Sequence, residues 1–158
     1  SDQEVAEICE IRGLIEGLAT RWAVEKAREK LIEELQKNIG VSEAKAEKGE
    51  ARAFIELDAQ FHEIIARLSG SKRLLELAQA LRHHMLRYRA QSIYATDNVV
   101  RAIEGHKGIL ASIENGDVDQ INLAIRKHLE QAKKDILHYA LKENEAQADN
   151  NNKKITHP

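Results

Sequence analysis

Proline occurs once in this chain, at Pro158, the last of its 158 residues. Proline ends helices and punctuates the turns of β-rich folds, so its absence from the rest of the chain leaves glycine and short polar runs as the only breaks. Six aromatic residues (one Trp, three Tyr, two Phe) are too few for a sheet-rich core, whereas 21 Ala, 16 Leu and 19 Glu favour helix. The class expected is all-α. Lys and Arg number 24 against 26 Asp and Glu, and 42% of residues are hydrophobic, which describes a single soluble domain. A charge of −2 offers no basic surface for a phosphate backbone. No apolar run approaches the roughly 18 residues of a membrane span, and no signal peptide opens the chain. One cysteine, Cys9, allows neither an internal disulfide nor a cysteine-based zinc site, so a cytoplasmic setting is expected.

Apolar spacing predicts about six helices. The first runs from Val5 through Ile8, Ile11, Ile15 and Leu18 to Trp22, with Ser1 and Glu4 as its capping box. A weaker second (Leu31, Ile32, Leu35, Ile39) ends near Gly40. A third carries Phe54, Leu57, Phe61, Ile65 and Leu68 to Ser69-Gly70-Ser71, and a fourth carries Leu74, Leu77, Leu81, Met85 and Tyr88 to Thr96-Asp97. The fifth holds Val99, Ile103, Leu110 and Ile113 before Asn115-Gly116-Asp117, and the sixth holds Ile121, Ile125, Ala132, Ile136 and Tyr139. Short turns imply an antiparallel bundle over residues 1–142, with 143–158 a flexible tail.

Polar residues on the apolar stripes are the informative ones, because a buried charge needs a partner. Asp58 and His62 stand one turn apart on the stripe of Phe54 and Phe61. His106 is in line with Ile103, Leu110 and Ile113, and His128 with Ile121, Ile125 and Ala132. His106 precedes Gly116 by ten residues and His128 follows it by twelve, so in an antiparallel hairpin the two sit at nearly one height. The turn at Gly70 places Asp58 and His62 level with Arg82. One carboxylate and three imidazoles meeting at mid-bundle suit a divalent first-row transition metal such as Zn, Ni or Mn. A single histidine on an apolar face is usually a hydrogen-bonded core residue and an Asp–His pair can be a buried ion pair, so it is the joint occurrence of four inward polar residues at compatible heights that points to a metal. Arg12 and Arg82 read either as local partners of carboxylates, Glu16 for Arg12, or as clamps for a small anion. His84 is a reserve ligand.

Three segments carry a family resemblance: Leu57-Asp58-Ala59-Gln60-Phe61-His62; His106-Lys107-Gly108-Ile109-Leu110 running to Asn115-Gly116-Asp117; and Arg126-Lys127-His128-Leu129. With Ile11-Arg12-Gly13-Leu14-Ile15-Glu16 as an opening helix, residues 5–142 resemble the FCD effector-binding domain of FadR-subfamily GntR transcriptional regulators. The resemblance implies a dimeric helical bundle that binds a small carboxylate effector through a metal held by Asp58, His62, His106 and His128. Arg12 and Arg82 become the effector-binding residues. Gly105 stands directly before His106, where that family commonly has Glu. The winged-helix domain that usually precedes this one is absent from the chain, and a start at Ser1 reads as an excised or processed domain. DNA binding is therefore expected only of a longer parent protein.

The competing reading is a metal-dependent hydrolase-like enzyme, but no His-Glu-x-x-His pattern occurs and no spare inward carboxylate is well placed as general base, Glu63 and Glu16 being what that reading would have to use. A metal-free helical interaction module is the third reading, favoured if the four polar residues prove dispersed. The chain is expected not to be an enzyme.

Overall fold

A computed structural model describes the backbone of residues 1–92 and 96–155, and within that range the side chains of all but 87, 89–92, 96 and 140–155. Five helices follow one another: α1 (Asp2–Glu47), α2 (Ala51–Leu68), α3 (Lys72–Ser92), α4 (Thr96–Asn115) and α5 (Val118–Ile155). The expected six become five because the first two predicted helices are one element. The backbone leaves helical geometry inside it only at Ala27 (φ −152°, ψ 39°), in the gap between the Trp22 and Leu31 patterns. Gly40, expected to end a helix, lies within α1, and the turn falls at Gly49 with φ 71°. Helix α5 continues through Ile155, so the backbone of residues 143–155 is helical.

The remaining punctuation follows the sequence. Ser1 caps α1, its hydroxyl accepting from the Glu4 amide while the Glu4 side chain returns to the Ser1 backbone. Gly70 and Gly116 take φ 68° and 74°, left-handed values that a side chain disfavours. Asp117 opens α5 by accepting from the amides of Asp119 and Gln120 at 2.9 and 3.3 Å.

Helix α1 packs against all four others. The bend at Ala27 is anchored on both sides. Lys26 donates to the Ser69 carbonyl at 2.7 Å, and Arg28 donates to the Glu114 carbonyl at 2.5 Å. Two cations therefore sit on the carbonyl ends of α2 and α4, where each contributes about 0.3–1 kcal/mol. The core includes Leu31, Leu35, Phe54, Phe61, Ile109, Ile113, Ile121 and Ile125, drawn from the same helices α2, α4 and α5 that carry the polar residues and from α1. No helix among the described residues is long and apolar enough to cross a membrane.

Candidate metal centre

Asp58 and His62 of α2, His106 of α4 and His128 of α5 are all buried, and each presents one donor atom within 4.8 Å of the other three. The two hairpins do bring them to one height. His128 Nε2 lies 3.3 Å from His62 Nε2, and Asp58 Oδ1 lies 3.3 Å from His106 Nε2 and 3.9 Å from His62 Nε2. Donors bound at about 2.0–2.1 Å to one ion are separated by roughly 3.0 Å when adjacent and 4.2 Å when opposite in an octahedron, or by about 3.4 Å in a tetrahedron. The three spacings of 3.3, 3.3 and 3.9 Å fall within that range, while the set as a whole spans up to 4.8 Å and would have to draw in slightly around an ion. The donor chemistry matches too: three imidazoles and one carboxylate are borderline ligands that suit first-row divalent ions. His106 is held by Phe61, whose ring stacks on it at 3.8 Å between centroids with 3° between planes.

Glu16 on α1 adds a second carboxylate. Its Oε2 lies 2.8 Å from His62 Nδ1, and its Oε1 accepts from Arg12 Nε at 2.8 Å and contacts Arg12 Nη2 at 2.7 Å. Burial alone would push the Glu16 carboxyl upward, but the Arg12 guanidinium and His62 imidazole hold it well below the usual carboxylate range. Burial likewise works against the charge on Arg12, yet Glu16 and Asp58 raise its pKa above the ordinary guanidinium value. The local pairs anticipated for the two arginines are present. Arg82 donates to the Ala59 carbonyl at 2.8 Å and to Glu63 Oε2 at 3.0 Å. Arg12, Asp58 and Arg82 also line one small cavity of about 20 Å³, together with Met85 and Leu86. That is room for about one water. A wider groove of about 660 Å³ between α4 and α5 reaches His128 beside Gly105.

His83 and His84 are exposed on α3 and His138 is exposed on α5, so none of them joins the cluster. His157 lies outside the described residues, as do the apolar Ile93 and Tyr94. Two contributions were not legible beforehand. Glu16 appeared in the sequence only as a local partner of Arg12 or a possible base. Gly105 stood out in the sequence only as a departure from the family's usual Glu before His106, with no hint of its packing, yet a Cβ built on it would stand 2.3 Å from His128 Nδ1.

The chain is thus an antiparallel helical bundle with a buried carboxylate and three imidazoles at its middle. The family profile of the FCD domain matches residues 7–131, and the chain belongs to that family. Among solved structures it is similar to E. coli McbR/YncC, with a TM-score of 0.77 and 23% identity over 87% of this chain and 66% of that one. It is also similar to Streptococcus agalactiae GntR, with a TM-score of 0.67 and 20% identity over 84% of this chain and 59% of that one. Identities this low speak to the fold alone, and the chain spans less than two thirds of either protein. A comparison with curated protein sequences finds no match.

Proposed function

We propose that this chain is the ligand-sensing domain of a GntR-type transcriptional regulator of the FadR subfamily, binding a small carboxylate effector at a divalent metal. The observation that carries the reading is the convergence of Asp58, His62, His106 and His128 next to a cavity that Arg12 and Arg82 also line. When bound, the metal supplies a Lewis-acidic centre with open positions for carboxylate oxygens. The protein supplies the rest of the recognition. Arg12 is neutralised locally by Glu16, with both partners buried. Arg82 is the freer clamp, because its partner Glu63 has a side chain 47% exposed and gives up little by turning to water. Outward movement of Leu86, itself 47% exposed, would open the cavity to a di- or hydroxycarboxylate. DNA binding belongs to a separate domain of a longer protein.

Calorimetric titration of di- and hydroxycarboxylates into the metal-loaded protein tests this. Arg82→Met is expected to lose roughly ten- to hundredfold in affinity, the worth of one charge-assisted contact, with metal content unchanged. Arg12→Met is expected to lose less. Full affinity in both variants would remove the arginines from the site. Recovery of the acid unchanged after incubation separates a sensor from a hydrolase-like enzyme, which would turn it over.

The same reading includes a homodimer. A groove of about 910 Å³ between α1 and α5 is lined by Leu14 and Leu123, which are 75% and 59% exposed. Large apolar side chains left this open mark an association surface. Light scattering at micromolar concentration is expected to give the mass of two chains; the mass of one argues against the dimer.

A further inference from the structure

We propose that Glu16 is the positioning residue that sets His62 as a ligand, and that Arg12 serves the metal centre through Glu16. This rests on the metal-site reading above. Glu16 belongs to α1, a helix that contributes none of the four donors. Its Oε2 meets His62 Nδ1 at 2.8 Å, while the opposite ring nitrogen, Nε2, faces His128 Nε2 at 3.3 Å and Asp58 Oδ1 at 3.9 Å.

An ionised carboxylate only accepts hydrogen bonds. The contact is close enough for an ion pair but is not aligned as a hydrogen bond, so a small rotation of the ring would bring an Nδ1 hydrogen onto Glu16 and leave the Nε2 lone pair for the donor set. That is the tautomer and ring orientation a metal ligand needs, and carboxylate partners of this kind also raise the basicity of the imidazole. The other oxygen of Glu16 is taken by Arg12, with contacts at 2.7 and 2.8 Å. Arg12 thus supplies the charge that lets a carboxylate remain ionised at 6% exposure. The chain Arg12–Glu16–His62 ties α1 to the centre, so the first helix shapes the site without touching the ion.

The test uses the whole chain with zinc as probe. Zinc affinity is measured by competition with a chelator for the wild type, Glu16→Gln, and Arg12→Met/Glu16→Leu, the last removing both charges so that none is left buried alone. The double variant is expected to bind zinc 10–100-fold more weakly. Glu16→Gln is expected to lose less, because its amide oxygen still accepts the Nδ1 hydrogen. Long-range proton–nitrogen NMR of the zinc-loaded proteins is expected to show His62 as a single Nδ1–H tautomer in the wild type and to lose that signature in the double variant, with His106 and His128 unchanged. A wild type that binds zinc alongside variants within threefold of it overturns the role of Glu16 and leaves the metal site standing. Weaker binding with the His62 signature intact also overturns it, since the effect is then one of packing. A wild type that takes up no zinc removes the metal reading itself.

Discussion

Asp58→Ala is expected to lower metal affinity by more than the roughly 10–100-fold that loss of an outer partner costs, because Asp58 is itself one of the four donors and the only anionic one. Its Oδ1 lies 3.3 Å from His106 Nε2, so its removal leaves three buried imidazoles around a doubly charged ion with no charge to offset it. The readout is thermal unfolding with and without metal. A ligand at a hundred times its Kd stabilises the folded state by about 2.7 kcal/mol, which for a chain of this size raises Tm by roughly 5–10 °C. That shift is expected in the wild type and absent from Asp58→Ala at the same metal concentration. Asp58→Asn, which keeps the shape and one oxygen donor, is expected to fall between them. An undiminished shift in Asp58→Ala would take this residue out of the centre.

Gly105→Ala is expected to weaken metal binding about as strongly, by a purely steric route. The new Cβ would stand 2.3 Å from His128 Nδ1, 3.1 Å from its Cγ and 3.3 Å from its Cβ, so the clash reaches the root of the side chain as well as the ring. His128 can escape only by swinging its Nε2 away from His62 and the other donors. The metal-free fold is less affected, since replacing a helical glycine gains about 0.5–1 kcal/mol against an overpacking cost of about 1–3 kcal/mol. Gly108→Ala, one turn along the same helix with nothing within 4 Å of its Cβ, is the matched control. It is expected to raise Tm slightly and leave metal affinity unchanged. Chelator competition on the two variants checks both expectations; equal affinities would show that His128 is not seated by Gly105.

The convergence of the four polar side chains was readable from the sequence because two local regularities suffice for it. Helical periodicity put Asp58, His62, His106 and His128 on apolar stripes, and counting from Gly70 and Gly116 put them at one height. The region around residues 23–30 was harder. Its buried positions include Ala23, too small to mark a stripe, so α1 read as two helices separated by a gap. Gly40 looked like a stop and is not one, because nothing packs near it and the helix can pass through.

Composition and spacing by themselves determined the helical class, the turns at Gly70 and Gly116, the capping box at Ser1 and the inward faces of the four donors, since each depends on neighbours within a few residues along the chain. Tertiary structure alone decided which faces meet. It joined the first two predicted helices across Ala27, turned Glu16 toward His62, set Leu86 on the lining of the cavity beside Arg82, and pressed the backbone at Gly105 against His128. The Glu16–His62 and Gly105–His128 contacts join residues far apart in the chain and are set by how whole helices pack, and a periodic pattern reports which side of a helix is buried without naming the atoms that bury it.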